Sequence, residues 1–448
     1  LQAIKSNFYK LERIDLQIKF NDSLILENTR NEAKKLEGWG LRKIYNLKGI
    51  PEVNFKLGDK DEIYSGKIRL KGDRRIHWED KEKSSYKIKL DKDQYYLGLR
   101  KFSLQKPRTR NYIHEWIFHQ MMKDFDIIAL KYKFLNLSIN GEDKGLYVLE
   151  EGFGKELIER NKRRNGPIFG LDEDLSTNEK NPVFEIYNKK YWGLEENNDL
   201  VRTASQKLRD FFNKEITADQ VFDFKKWAAY FAVVDMTSTY HGAWLKSVKF
   251  YYNPINGLFE PIPYDGHRLK PNYHSYNLNY DDDILIDKVN SKEKNGVTYL
   301  KKLFYKNDSS LDETFYNLYV ENLNIISSKN YIDNFLSKNL EEINIINSHI
   351  YSDHFFNDNR LRYGHGLGLY YFSLPDFFYN AEKIRKKLKS KRKIQVLKIN
   401  ESEFLIRNHY KGYKNYGSVI ADEMICNRDN QNIKIKIFKS LNNFSDTI

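Results

Sequence analysis

The chain has 448 residues, enough for two or three domains each with its own core, and 40% hydrophobic and 15% aromatic residues argue against a disordered protein. The net charge of +13 brings nucleic acid, anionic membrane and phosphorylated ligands to mind. However, Lys, Asn, Ile and Tyr are enriched together, as an AT-rich genome produces without selection, and no nucleic-acid-binding motif accompanies the charge. Nucleic acid is therefore not the expected partner. The single cysteine, Cys426, excludes an intramolecular disulfide and a cysteine-built zinc site. No apolar run reaches the ~18 residues of a membrane span. The chain opens on Leu1 rather than Met, which leaves an upstream leader or anchor open.

Residues 10–55 alternate a strand-like run (Ile14, Leu16, Ile18, Phe20) with a helical stretch over 28–41. Two strands follow, 64–70 (YSGKIRL) and 85–90 (SYKIKL), each alternating apolar with polar, mostly basic residues as a sheet with one buried face does. Residues 110–122 (RNYIHEWIFHQMM) have helical spacing. Asn140-Gly141 between 135–139 and 145–149 signals a hairpin, since both residues tolerate positive φ. Helical spacing returns at 201–214 and 224–234, and a second hairpin turns at Asn256-Gly257. Residues 310–390 read as mainly helical, ending in the basic run 383–393, and short strands follow from Ile394. The expected class is α+β: an N-terminal β/α extension (1–55), a β-rich small lobe (56–151), a mainly helical large lobe (152–390) and a small β-like module (394–448).

Three blocks carry a more specific signal. Residues 68–90 (IRLKGDRRIHWEDKEKSSYKIKL) hold a strand ending in Arg-x-Lys-Gly, a loop and a Lys-Ser-containing strand. Residues 97–151 run from LGLRKFSLQKPRTRNYIHEWIFHQ to LSINGEDKGLYVLEE, and residues 249–267 (KFYYNPINGLFEPIPYDGH) end in a Pro-x-Asp element. In content and order these blocks resemble the spore-coat H (CotH) kinase-like family, over residues 10–390. The resemblance implies an atypical protein-kinase-like two-lobe fold and an ATP-dependent phosphotransferase assisted by Mg²⁺ or Mn²⁺. The implied acceptor is a hydroxyl on a protein or surface polymer, and the implied setting is bacterial, extracytoplasmic or envelope-associated.

The residues suit that chemistry, because phosphoryl transfer needs positioned cations and metal more than a covalent intermediate. Lys71, Lys87 and Lys89 lie on or beside the small-lobe strands, with Lys87 and Lys89 on one face, and one of them is expected to meet the phosphates. The bland alternative is a solvated lysine-rich surface. Glu115 on the predicted helix would orient that lysine. Glu150 and Glu151 end an apolar strand where a hinge would lie, and Glu151 would meet the ribose or simply cap the strand. In the loop after Gly72 the glycine cradle is missing, so Arg74, Arg75 and His77 would grip phosphate by side chains or simply form a solvated basic loop. Asp265, after a strand and Pro263-Tyr264, would hold the metal, with an ordinary Asp-Gly turn as the alternative.

One departure stands out. The resemblance implies an Asp and then an Asn before the aromatic strand, but VVDMTSTYHGAWLKSVKFYYNP places His241 near the first position and Ser247 or Lys249 near the second. Asp235 as base, His241 as base, or a degraded site all remain open; the last would make the chain a pseudokinase or envelope scaffold. The run Asp281-Asp282-Asp283 reads as a solvent-facing charge cluster or a cation site.

Overall fold

The computed structural model describes residues 5–36, 38–59, 62–173, 175–176, 182–266, 303–308, 312–357 and 372–389, together with four C-terminal strands. The triplet 281–283 and His267 lie outside them.

Seven strands close into a barrel: β1 (Arg13–Gln17), β2 (Val53–Asp59), β3 (Glu62–Leu70), β4 (Tyr86–Leu90), β5 (Lys101–Gln105), β6 (Tyr132–Ile139) and β7 (Glu142–Glu151), in the order β1-β2-β3-β4-β5-β7-β6. Six of the seven pairings are antiparallel, and β1 closes the ring by lying parallel to β6, with Ile14 opposite Leu137. Strand alternation explains what fills it: Ile14, Leu16, Phe55, Leu57, Ile68, Leu70, Ile88, Phe102, Leu104 and Leu149 share one buried cluster. Gly66 is obligatory in β3, because a Cβ there would stand 2.3 Å from the Lys89 carbonyl oxygen of β4. Two helices, α1 (Phe20–Lys35) and α2 (Gly40–Lys48), add Leu26, Ala33, Leu41 and Ile44 to the same core.

Three features depart from the sequence-based expectation. The segment 1–55, expected as an extension, supplies β1 and part of β2 and so completes the barrel. The helix expected over 28–41 is two helices, and Phe20, expected in a strand, opens α1 and is 76% exposed. The expected small-lobe sheet closes on itself, because β1 meets a strand more than a hundred residues distant. The mixed α+β class stands.

The helical half begins with α3 (His114–Asp124), α4 (Lys155–Arg160), α5 (Lys189–Trp192) and α6 (Glu195–Phe212). Its centre is α7 (Phe224–Thr237), started by Asp223, whose side chain accepts from the Lys226 amide at 3.1 Å. Phe231, Ala232, Val233 and Val234 are all fully buried, so α7 is an enclosed helix, packed by α3, α8 (Glu313–Ile326) and α10 (Leu374–Lys389). Beside it runs the sheet β11-β10-β8-β9, from β8 (Ile168–Leu171), β9 (Phe184–Ile186), β10 (Lys249–Asn253) and β11 (Leu258–Ile262). The 29-residue α9 (Lys329–Asn357) ties back to the barrel: Asp353 takes Lys83 at 2.6 Å and the Leu146 amide at 3.0 Å. Residues 394–448 hold two separate hairpins, β12 (Ile394–Lys398) with β13 (Phe404–Asn408), and β14 (Glu423–Arg428) with β15 (Gln431–Lys436). Among the described residues no helix is long and apolar enough to cross a membrane.

Candidate active site

Leu70 points into the barrel at the end of β3, and alternation turns Lys71 to the outer face. There its ammonium donates to Glu150 of β7 and, at 2.9 Å, to Gln105 Oε1 of β5; Gln105 Nε2 in turn donates to Glu150 Oε1 at 3.0 Å. A short 3₁₀ turn, Pro107–Arg110, follows β5 and carries Arg110 across. Its Nε lies 3.6 Å from Glu150 Oε1, and its Nη1 lies 2.6 Å from Asp265 Oδ1. Asp265 sits after β11 with φ of 58°, a left-handed conformation that Asp tolerates better than most residues. His241 Nδ1 lies 3.3 Å from Asp265 Oδ2, 2.9 Å from the Asp265 carbonyl oxygen and 3.1 Å from Ser247 Oγ. One chain of charged groups thus runs from the barrel (Lys71, Glu150) through Arg110 to the helical half (Asp265, His241). The Tyr264 ring lies beneath both Arg110 and Lys249, at 5.3 and 5.6 Å.

The electrostatics follow from burial and neighbours. Burial pushes the Glu150 carboxyl up, but Lys71 and Arg110 outweigh it and hold it below its usual range. Burial works against Arg110 too, yet Asp265 and Glu150 raise its pKa well above the ordinary value. Lys71 is lowered by burial, with Glu150 opposing and Arg110 reinforcing. Both members of the pair shift down for different reasons: two cations act on Glu150 and outweigh its burial, whereas at Lys71 burial together with Arg110 outweighs Glu150 and Asp265. Lys249, buried on β10, is lowered to about 8 by burial despite Glu173, Asp265 and Glu185. Taking an ion out of water costs several kcal/mol, so a packed interior has no reason of its own to assemble this set.

The sequence candidates divide. Lys71, Asp265 and His241 enter the connected network. Lys87 lies on the same outer face, exposed, with its pKa lowered to about 8 by desolvation and then by Arg69, Lys71 and Lys101. Lys89 is exposed one row further out on β4. Glu115 is not the partner of Lys71; Glu150 is. Glu115 is fully buried on α3, and neither carboxylate oxygen has a hydrogen-bond partner among the described residues. One oxygen lies 3.2 Å from where a Cβ on Gly266 would stand, beside the Asp265 turn, and the other 3.5 Å from His119 Nε2. Glu151, expected at a ribose, is taken up by Arg160 and by the Lys131 amide at 2.7 Å, which pins the end of β7. Asp235, expected as a base, is 3% exposed and accepts the hydroxyls of Tyr240, at 3.1 Å, and Tyr319, so its carboxylate is spent on holding α7 to its surroundings.

The basic loop is also redistributed. Arg74 is exposed, while Arg75 bonds Glu79 and the Lys34 carbonyl at the end of α1. His77 is buried against Gly72, and burial, with Arg110 and Lys71 nearby, pushes its pKa well below 6.5, so it is neutral at pH 7. The residues that sequence reasoning left unassigned are Arg110, Gln105 and Tyr264. Arg110 lies inside the second block, but nothing local says that an arginine one short turn after a strand will bridge two halves of a molecule.

The sequence that builds most of this architecture matches a known family. The family described as CotH kinase protein matches residues 68–356, which is well over half of the chain, and the chain belongs to that family. The matched span takes in Lys71, Arg110, Glu150, His241 and Asp265. Among curated proteins, the inner spore coat protein H of Bacillus subtilis (strain 168) is similar, being 24% identical over 229 residues, 48% of this chain and 60% of the relative. The chain thus spans less than two thirds of that relative's length.

Proposed function

We propose that the protein is an ATP-dependent phosphotransferase of kinase-like, two-lobe design, with the barrel as the small lobe and the α7-centred half as the large lobe. The observation that carries this reading is the buried chain Lys71–Glu150–Arg110–Asp265–His241 joining the two halves. The donor chemistry fits a metal-bound triphosphate. Lys71 and Lys87 would meet phosphate oxygens, and Asp265, with the Glu115 carboxylate beside its turn, neither of whose oxygens is hydrogen-bonded among the described residues, would supply hard oxygen ligands. Mg²⁺ commonly takes only one or two carboxylates from protein, with water and phosphate completing its shell. Bound there, it would neutralise charge developing on the transferring group.

The chain's own residues do the rest. Glu150 fixes Lys71 in one rotamer. Arg110 holds Asp265 in its left-handed turn, and His241, backed by Ser247, is the group in the network able to accept a hydroxyl proton near neutral pH. The acceptor would be a protein or surface-polymer hydroxyl, in keeping with a relative named for the inner spore coat. A nucleotide-binding pseudokinase is a second reading, favoured by one observation: Asp265 is already neutralised by Arg110 at 2.6 Å. Titration calorimetry with ATP and Mg²⁺ tests the site. Binding that weakens at least tenfold in both Lys71→Met and Asp265→Ala supports it; wild-type protein that binds no nucleotide sinks both readings.

A further inference from the structure

The outer face of the barrel continues beyond the candidate site as a two-dimensional array of cations. The strand register fixes it: Lys67 of β3 stands opposite Lys89 of β4, which stands opposite Lys101 of β5, and in the next row Arg69 stands opposite Lys87. Neighbouring rows are about 6.8 Å apart along the strands and neighbouring strands about 4.8 Å apart. Like charges directly opposite one another across strands destabilise a sheet. Here they do so in two consecutive rows, with little compensation. Glu52 lies 3.9 Å from Arg69, Lys67 donates to the neutral Asn54 at 2.6 Å, and among the described residues Lys87, Lys89 and Lys101 have no ion-pair partner. The side chains stay out in solvent at Lys67, Lys87 and Lys89 and half-buried at Arg69 and Lys101. Burial lowers the pKa of Arg69, Lys87 and Lys101; neighbouring cations add to it at Lys87 (Arg69, Lys71 and Lys101) and at Lys101 (Lys89), whereas at Arg69 the acids Glu52 and Asp73 oppose it.

We propose that this face, Lys67, Arg69, Lys87, Lys89 and Lys101, docks an extended acidic polypeptide. The pitch argues for a peptide in strand-like conformation, whose alternate side chains also recur about every 6.8 Å, so that Asp or Glu at every second position meets successive rows. Tyr45, exposed, sets its ring 6.0 Å from Arg69, but the outward positions among these cations on β3, β4 and β5 (Ser65, Ser103 and Gln105) add no further ring, so the face lacks the succession of rings on which bases of a single strand would stack. The face runs directly into Lys71, so a docked chain would lie along the mouth of the candidate site. Docking itself does not rest on the phosphotransfer reading and is measured without nucleotide.

The experiment is fluorescence anisotropy of a labelled peptide of alternating Glu and Ser, with the full chain at low salt. Wild type should bind with an affinity that falls as salt rises, and Lys67→Glu/Lys89→Glu/Lys101→Glu should lose about tenfold or more. A control reversing three exposed lysines elsewhere, Lys189→Glu/Lys190→Glu/Lys225→Glu, makes the same change in net charge and should bind as wild type does. Circular dichroism and the unfolding midpoint of the first triple variant report whether it folds; if it does not, the single Lys89→Glu variant carries the test. Equal loss in the control, no binding by wild type, or tighter binding of an oligothymidylate than of the peptide would each overturn the proposal.

Discussion

Glu150 is the acid on which two buried cations converge, so its replacement by Gln is the sharpest perturbation of the seam. Lys71 and Arg110 would then face each other with no anion between them, although Gln105 remains beside Lys71. Breaking a buried ion pair from one side costs about 3–5 kcal/mol, because the orphaned charge keeps its desolvation penalty. Lys71→Met should cost less, about 1–2 kcal/mol, since Glu150 retains Arg110 and Gln105. The double variant Lys71→Met/Glu150→Gln removes both ends of the pair and should be more stable than the summed single effects by about 2 kcal/mol. Urea unfolding followed by the fluorescence of the six tryptophans measures all four proteins. The pH dependence has a definite sign. Glu150 is held below its usual pKa of 4.5, so its contribution is complete above that pH and disappears as pH falls through the folded value. The gap between wild type and Glu150→Gln should therefore narrow in acid. Additive single effects, within about 0.5 kcal/mol, would refute the coupling on which the reasoning depends.

Other consequences are as concrete. Lys249 is lowered from 10.5 to about 8, so folding carries a penalty of about 3 kcal/mol below pH 8 that is relieved as pH rises toward 10.5. Lys249→Met should accordingly be the more stable protein at pH 7, by up to that amount, and lose its advantage by pH 10.5 in thermal unfolding across that range. At Gly72, φ is 98° and a Cβ would stand 2.2 Å from His77 Cγ. Gly72→Ala should thus cost about 2–3 kcal/mol in the same urea assay. Asp235→Asn exchanges a carboxylate serving two phenols for a weaker acceptor, at a cost of about 1–3 kcal/mol, while ATP affinity by calorimetry should stay within twofold of wild type. A large loss of nucleotide affinity there would return Asp235 to the site.

Strand alternation made much of the fold legible. The runs at 64–70 and 85–90, the Asn140-Gly141 and Asn256-Gly257 hairpins and the helix after Arg110 all lie where local pattern placed them. Barrel closure did not show, because the parallel pairing of Arg13–Leu16 with Asn136–Ile139 is set by long-range packing and leaves no local mark. Three blocks of sequence pointed to the family, and the Pro-x-Asp element pointed to Asp265. The pairing of charges was a different matter. Sequence put Glu115 opposite a lysine by analogy with a helix glutamate, whereas the ladder puts Gln105 and Glu150 on neighbouring strands beside Lys71. Helical position could not tell that Asp235 would meet Tyr319 from α8, eighty-four residues away.

The most direct test is transfer of label from γ-labelled ATP, with Mg²⁺ or Mn²⁺, to the protein itself and to a hydroxyl-bearing acceptor, using wild type, Asp265→Ala and Lys71→Met in parallel. The expected result is metal-dependent labelling by wild type that falls at least a hundredfold in both variants, about 3 kcal/mol of lost transition-state stabilisation. Undiminished labelling by Asp265→Ala, or wild-type protein that binds ATP yet transfers nothing, would contradict a phosphotransferase built on this seam.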